Sequence, residues 1–399
     1  MKRALLLSIW LLVLIVGLPQ LAETIFTPSL PLIATSFGTS ASMAQFTLTI
    51  YLFSFALGTL FWGRISDKHG RKPSILLGLI IFALGSAVCY ISSNIEILML
   101  GRFIQAFGGS TGSVVGQAIC RDSFEGSRLG QVYSFIGGSL GLFPALGPII
   151  GGFIAYSYGW RNVFTLLIGV TFLLILTIVY KLPETHHKES RQHHHFLKIV
   201  KHLLSDKKVL GFGLIVAAAN GVWLSYFTEG AFYLIDNLHL SPLSYSFSFI
   251  LIVLAIILGT LVSKKLNKLY SSLQIMRWGI TTMTMAALLF SITALIKHYA
   301  MFSDTAMIVF SLSIQMVIVT GFCLVTSNAL SLALVDYKWC VGSATSLFGF
   351  FYYLLISLFT LGMGLLHNGT LLPMPLYFFA LCLLMKLSTK LVIKPSTTS

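Results

Sequence analysis

Long apolar segments recur along the whole chain, and short polar segments separate them. Each apolar segment is about 20 residues or longer, the length that an α-helix needs to cross the hydrocarbon core of a bilayer. A β-barrel would instead need shorter segments of alternating hydrophobicity, and these do not dominate here. The pattern therefore predicts an all-α polytopic membrane protein with twelve transmembrane helices. The predicted spans lie near residues 5–33, 44–63, 74–93, 97–118, 131–156, 162–180, 209–234, 244–263, 275–296, 304–330, 341–366 and 374–393.

The longest polar segment lies in the middle of the chain and divides the predicted spans into six and six. We therefore expect an N-terminal six-helix half at residues 1–181, a cytoplasmic linker at 182–208 and a C-terminal six-helix half at 209–399. Two equal halves are typical of a transporter built from a structural repeat.

The linker is rich in histidine, and such a tract can bind zinc or nickel. Because it has neither cysteines nor spaced carboxylates, we interpret it as a solvated linker and predict no metal site. Its histidines are His186, His187, His193, His194, His195 and His202.

Composition excludes a water-soluble protein. Of the 399 residues, 56% are hydrophobic and only 10% are charged, whereas soluble domains are about one quarter charged. The net charge of +14 would suggest a nucleic-acid partner in a soluble protein. In a membrane protein the excess positive charge instead marks cytoplasmic loops, so we expect a lipid bilayer and no nucleic acid as partner.

The basic residues also predict the orientation of the chain. Of the 26 lysines and arginines, only Arg161 and Lys297 fall in loops on one side, and Arg102 falls inside a span. The others lie in the loops, the termini or the adjoining span ends of the opposite side, which is therefore cytoplasmic. We expect a multi-pass protein of a bacterial-type inner membrane, with both termini in the cytoplasm.

One motif stands between the second and third spans. Gly63, Asp67, Gly70, Arg71 and Lys72 have the spacing GxxxDxxGRK, which resembles the signature of the major facilitator superfamily. Gly63 permits close helix approach, and Asp67 can pair with arginine or cap a helix. The resemblance implies the twelve-helix fold of that family, in which this element latches the two halves in the outward-facing state.

Span five contains a second motif, made of Gly147, Pro148, Gly151 and Gly152. It resembles the GPxxGG core of the antiporter signature, which the family associates with exporters. Proline removes a backbone hydrogen bond and small residues allow close packing, so the motif predicts a bend at the interface between the two halves.

Two further segments resemble proton-coupled drug exporters. Arg102 and Gln105 match the RxxQ part of an element in span four, and the first span resembles a segment of the Bcr/CflA group. In that group an aspartate precedes the first proline. Here Thr24 occupies the position and the acid, Glu23, stands one residue earlier, about 100° away around the helix.

Away from the cytoplasmic ends of the predicted spans, three charged residues lie well inside them, namely Glu23, Arg102 and Glu229. A charge in the membrane is costly and marks a functional site by default. A carboxyl group in a low-dielectric environment favours its neutral form, which suits it to carry a proton. We expect these three residues to couple transport to protons. Glu229 has an alternative role as a solvated residue at the periplasmic mouth.

Aromatic side chains with polar neighbours predict a pocket for a small hydrophobic or amphipathic compound, held by stacking, cation–π contact and hydrogen bonds. Each of them is also a candidate for ordinary helix packing. The candidate binding residues are Gln20, Thr24, Phe26, Gln105, Asn220, Trp223, Tyr226, Phe227, Gln315, Asn328 and Tyr352.

The resemblance and the buried charges together favour a proton-coupled exporter of drugs or small amphipathic compounds that acts by alternating access. Proton-coupled uptake of a small metabolite is the alternative, and a channel is a third possibility. No HExxH or P-loop motif points to an enzyme. We expect a monomer that needs no cofactor, with the proton gradient as its energy source.

Overall fold

The structure, a computed structural model, describes residues 2–124, 126–185, 196–299 and 303–392. These residues form helices and connecting turns, and no β-strand occurs among them. The α-helices are α1 Lys2–Thr24, α2 Leu30–Phe37, α3 Ala41–His69, α4 Arg71–Ile91, α5 Ile95–Ser123, α6 Gly126–Tyr158, α7 Asn162–Lys181, α8 Phe196–Ser205, α9 Lys207–Ala231, α10 Pro242–Leu266, α11 Ser272–His298, α12 Asp304–Ala333, α13 Val341–Leu366 and α14 Pro373–Val392.

Ten helical segments of the described chain are long and apolar enough to cross a membrane. The helical prediction is thus confirmed, whereas the number of twelve spans is not. The two predicted spans outside the ten correspond to α5 and α14, which are helical at the expected positions. Helix α5 is rich in glycine and carries Glu96, Arg102, Arg121 and Asp122, which lowers its mean hydropathy.

The helices form two compact units. Unit 1 comprises Met1–Thr39 and Thr47–His195, and unit 2 comprises Ser40–Phe46 and Phe196–Ser399. In unit 1, α4 packs on α5 and α7, and α1 packs on α5 and α6. In unit 2, α9 packs against α12, α13 and α14, and α11 pairs with α12. The short segment Ser40–Phe46 is notable because it begins α3, whose remainder belongs to unit 1.

Several helices begin at residues that satisfy the free backbone N–H groups of a first turn. Asn94 accepts a hydrogen bond from the Ile97 amide, and Asp206 accepts from the amide of Lys208. Ser271 and Gln274 form a reciprocal capping box at the start of α11. Because these side chains accept hydrogen bonds from the first-turn amides, the helices begin directly after them.

Candidate functional site

The first membrane span is broken in its middle. Helix α1 ends at Thr24, and a 3₁₀ turn at Thr27–Ser29 leads into α2. Pro28 has no N–H to donate to the carbonyl of Thr24, and the Thr27 hydroxyl donates to that carbonyl instead at 2.8 Å. The break also leaves the carbonyls of Ala22 and Glu23 available to other donors.

Arg102 of α5 supplies those donors. Its Nη1 donates to the Ala22 carbonyl at 2.9 Å, and its Nη2 donates to the Glu23 carbonyl at 3.3 Å. Nη1 also donates to Gln105 Oε1 at 2.5 Å. The side chain is fully buried, so the guanidinium charge is held inside unit 1 by polar groups of the protein.

Two aromatic rings enclose the same guanidinium group. Its central carbon lies 4.2 Å from the ring centre of Phe26 and 4.1 Å from that of Tyr51, within cation–π range. The Tyr51 hydroxyl donates to the Pro19 carbonyl at 2.7 Å, and Gln105 Nε2 donates to Ser86 Oγ at 2.8 Å. These contacts fix the position of the charge.

Glu23 is only 4% exposed and lies at the same break. Arg102 binds its backbone carbonyl and makes no ion pair with its carboxylate within the part of the chain described. Two of the three charged residues that the sequence places inside spans therefore lie together, in contact through the backbone of Glu23. The carboxyl group stays close to a fixed positive charge without being locked to it.

Thr24, at the family's usual acid position, contacts α6. Its hydroxyl donates to the carbonyl of Pro144 at 2.7 Å. That carbonyl is available because Pro148, four residues later, has no N–H to donate. Thr24 is therefore engaged in a helix contact.

The glycines of the span-five motif permit this contact. A Cβ added at Gly151 would collide with the carbonyl of Ile25, and one at Gly147 would crowd the Thr24 hydroxyl. Gly152 is also buried. The close approach that these glycines permit lies between α6 and the broken first span within unit 1. The predicted bend at the interface between the halves stays a prediction.

The GxxxDxxGRK motif builds an ionic cluster at the end of α3. Arg71 donates through Nη1 to Asp67 Oδ1 at 2.5 Å and to Ser66 Oγ at 2.9 Å. Its Nε donates to Asp122 Oδ2 of α5 at 2.9 Å. Gly63 lies further back in α3 and is half-buried. The predicted pairing of Asp67 with an arginine is thus within the motif itself.

Glu184, after α7, completes this cluster. Its carboxylate accepts from the amides of Arg71 at 2.9 Å and Lys72 at 3.1 Å, and so caps α4. Gly70 precedes the helix with φ of 107°, a conformation that favours glycine. The Lys72 ammonium donates to the Val179 carbonyl at 2.9 Å.

A second buried carboxylate lies in unit 2. Glu229 is 0% exposed, which rules out the alternative of a solvated residue at the mouth. Gln45 Nε2 donates to its Oε2 at 2.6 Å, and His367 Nδ1 lies 2.9 and 3.0 Å from its two oxygens. Burial in unit 2 therefore brings together three polar residues that are far apart in sequence.

Several predicted binding residues of unit 2 do share one aromatic cluster. Trp223 stacks on Phe322 with ring centres 5.4 Å apart, and its ring meets Phe227 edge-on at 4.7 Å. Phe249 then contacts both Phe227 at 5.1 Å and Tyr226 at 5.8 Å. This continuous aromatic surface spans α9, α10 and α12.

Gln315 lies in α12, the helix that also supplies Phe322 to the aromatic cluster and that packs on α10. Both amide atoms of Gln315 are buried without a hydrogen-bond partner among the described residues.

Other predicted binding residues do not join these clusters. Asn328 is engaged with Ser263 and with the Leu324 carbonyl, and Asn220 donates to the Val216 carbonyl of its own helix. Tyr352 contacts its neighbours Phe348 and Tyr353. Gln20 is buried in unit 1 with its Nε2 unpartnered in the described chain.

Sequence reasoning missed Tyr51, Gln45 and His367 as site residues. None of the three carries a local signal, because each acts through a contact distant in sequence. Asp122 and Glu184 could have been predicted from the sequence, since they stand in two short segments, RD and LPET, that resemble the family.

No group of three or more potential metal ligands occurs among the described residues. Five of the six histidines of the linker lie outside the described residues: His202 is described, whereas residues 186–195 are not. The prediction that the linker binds no metal therefore stays a prediction.

Comparison with known proteins agrees with this architecture. The sequence profile of the Major Facilitator Superfamily matches residues 12–385. An uncharacterized transporter of Rickettsia felis is 35% identical over 376 residues, which cover 93% of each chain. A bicyclomycin resistance protein homolog of Haemophilus influenzae is 33% identical over 217 residues, which cover 54% of each chain.

Among solved structures, the xylose transporter XylE from E. coli has the same fold. Its TM-score is 0.76 at 13% identity, and the superposition covers 98% of this chain and 99% of that one. The helical membrane architecture, the motifs and the profile define a polytopic membrane transporter. The chain belongs to the Major Facilitator Superfamily.

Proposed function

We propose that the protein is a proton-coupled exporter of small amphipathic compounds, acting by alternating access in a bacterial inner membrane. The observation that carries the proposal is the burial of the Glu23 carboxyl group beside the fixed charge of Arg102, at the break of the first span. Drug-resistance proteins among the relatives support the direction of transport.

The coupling follows from the charge balance of this site. When Glu23 is ionised, Arg102 is the nearby positive charge that offsets it. When Glu23 is protonated, the site carries the net positive charge of Arg102 and disfavours cations. A cationic substrate therefore favours the ionised form and promotes release of the proton, whereas a proton promotes release of the substrate.

The substrate class is inferred from the buried aromatic and amide side chains of each unit. Phe26 and Gln20 lie near the charged site of unit 1, and Trp223, Phe227 and Gln315 supply aromatic surface and hydrogen bonds in unit 2. Aromatic faces with few polar anchors suit flat, amphipathic molecules better than sugars, which need many hydrogen bonds.

A drug-susceptibility panel on cells with and without the protein identifies a substrate for the test. Transport of that compound is then measured in proteoliposomes with an imposed pH gradient. Glu23→Gln keeps the shape of the side chain but cannot ionise, so we expect gradient-driven transport to fall to background. Glu96→Gln, at an exposed position in the first turn of α5, is the matched control and should transport normally.

Continued uphill transport by Glu23→Gln would show that another group carries the proton. The alternative function, proton-coupled uptake, is distinguished by the direction of flux in everted membrane vesicles. Efflux predicts accumulation inside such vesicles, and uptake predicts none.

A further inference from the structure

Gln45, Glu229 and His367 form a cluster that the exporter mechanism above does not use. Glu229 stands one turn before the π-helical turn Phe232–Asp236, and His367 follows the last residue of α13. Gln45 belongs to Ser40–Phe46, the part of α3 that packs in unit 2. π-Helical turns inserted into helices are frequent at functional sites.

Few groups in the cluster can offset the negative charge of the Glu229 carboxylate. A buried ionised carboxylate is costly unless it is paired and hydrogen-bonded. Within the described chain, Glu229 makes no ion pair with a lysine or arginine, and its donors are the neutral amide of Gln45 and the ring of His367. The charge of His367 therefore determines whether the carboxylate is neutralised.

His367 is placed to exchange a proton with water. Its side chain is 14% exposed, whereas that of Glu229 is 1% exposed. Its ring packs against Phe232, with ring centres 5.3 Å apart. The hydrogen bond to Glu229 raises the pKa of His367 above its usual 6.5, more than burial lowers it, and Asp236 raises it further. Asp236 is the other charged group that acts on His367 within the described residues.

The cluster also holds residues 40–46 in place. Gln45 reaches Glu229, and Phe46 lies against the Cα of Gly364, where an added Cβ would come within 2.8 Å of the Phe46 ring. Gln45 Oε1 is buried without a partner among the described residues, so the Nε2 contact with Glu229 is the observed polar attachment of this side chain.

We propose that Gln45, Glu229 and His367 form a proton-binding site, in which the proton on His367 keeps residues 40–46 attached to unit 2. With His367 protonated, Glu229 is neutralised by an ion pair and can hold Gln45. When His367 loses its proton, the buried carboxylate is left with neutral donors only, and the attachment weakens. Residues 41–46 are the first residues of α3, which continues into unit 1. Protonation of His367 therefore controls whether the start of this helix can move.

The sign of the pH dependence follows from linkage. A group whose pKa is higher in the folded state adds stability that is fully present below its unfolded value and is lost as the pH rises through the folded value. For His367 the attachment is therefore strongest below about pH 6.5 and weakens above the raised pKa. This proposal is independent of the exporter activity, because the attachment requires no substrate.

The test uses Ala44→Cys as a reporter in the purified full-length chain in detergent. Ala44 precedes Gln45 and is fully buried, so alkylation by N-ethylmaleimide reports release of the segment. The alkylation rate is measured by mass spectrometry of the peptide that contains residue 44, at pH 6 and at pH 8.5, both with His367 present and in the His367→Gln background. At each pH the rate with His367 is divided by the rate in the His367→Gln background, which removes the intrinsic pH dependence of the thiol.

We expect the alkylation rate with His367 present, divided by the rate in the His367→Gln background, to be well below one at pH 6 and to rise at least about threefold by pH 8.5. His239→Asn, which changes an exposed histidine of unit 2, should leave the rate of the reporter unchanged at both pH values. A ratio that is the same at pH 6 and pH 8.5 would overturn the proposal.

A second measurement needs no cysteine reporter. Diethyl pyrocarbonate modifies neutral imidazole, so the pH profile of its reaction with His367 gives the pKa of that ring, with His239 as the internal reference. In Glu229→Gln the profile of His367 should shift to lower pH, because the negative charge is gone. An unshifted profile would show that Glu229 does not control the proton on His367.

Discussion

At the residue scale, Arg102 illustrates how a charge is accommodated inside a helical membrane protein. Its guanidinium group donates hydrogen bonds to the carbonyls of Ala22 and Glu23 and to the side-chain amide oxygen of Gln105. The rings of Phe26 and Tyr51 cover its faces. A planar fork of donors with apolar faces suits this environment, and a lysine ammonium has neither property. The site therefore requires arginine in particular.

We expect Arg102→Lys to destabilise the protein although it preserves the charge. Each hydrogen bond to a charged group contributes about 1.5–3 kcal/mol, and one ammonium cannot reach all three acceptors. The midpoint of thermal unfolding in detergent should fall by several degrees. Arg277→Lys, at an exposed position of α11, is the control and should leave the midpoint unchanged. Equal midpoints for both variants would contradict the role of the guanidinium fork.

At the element scale, the contact between α6 and the first span depends on small residues. Pro148 frees the Pro144 carbonyl for Thr24, and Gly151 lets the backbone of Ile25 approach. The same motif thus supplies both a free carbonyl and the space for the neighbour. Tight contacts of this kind transmit movement, because packed interfaces have few alternative arrangements.

Replacing each of two glycines of unit 1 by alanine separates the effect of packing on stability from the effect of helix propensity. Gly151→Ala places a methyl group against the Ile25 carbonyl, so we expect a loss of about 1–3 kcal/mol from overpacking. A Cβ added at Gly169 of α7 would meet nothing within 4 Å, so Gly169→Ala should be neutral or stabilise by about 0.5–1 kcal/mol. Thermal unfolding of the two variants in the same detergent measures the difference, and a stable Gly151→Ala protein would contradict the proposed contact.

At the scale of the whole molecule, the distribution of basic residues predicts the orientation of the chain in the membrane. The proposed orientation puts Lys264, Lys265 and Lys268 in the cytoplasm and the turn that contains His367 outside. Under this orientation the His367 ring meets the external aqueous phase, and residues 40–46 lie on the same side.

Labelling of single introduced cysteines tests this orientation. In intact cells, Asn368→Cys should react with a membrane-impermeant maleimide, because it lies in an exposed outer turn. Leu269→Cys, exposed between α10 and α11, should react only after the cells are opened. The unsubstituted chain gives the background from native cysteines, and labelling of Leu269→Cys in intact cells would reverse the assigned topology.

Much of this protein is determined by sequence alone. Long apolar segments can be satisfied only by helices in a bilayer, so hydropathy predicts the helical class and most of the spans. Local spacing likewise identifies the GxxxDxxGRK and GPxxGG motifs and the family. The scarcity of charge inside the spans singles out Glu23, Arg102 and Glu229, because each buried charge is costly.

The partners of these residues are decided only by the tertiary structure. Arg102 binds the backbone of Glu23 instead of its carboxylate, Glu184 caps a helix more than 100 residues away in sequence, and His367 and Gln45 surround Glu229. Hydropathy and spacing describe each helix by itself. Which side chains meet depends on the rotation of each helix about its axis and on its register against its neighbours, and these are set by packing across the whole unit.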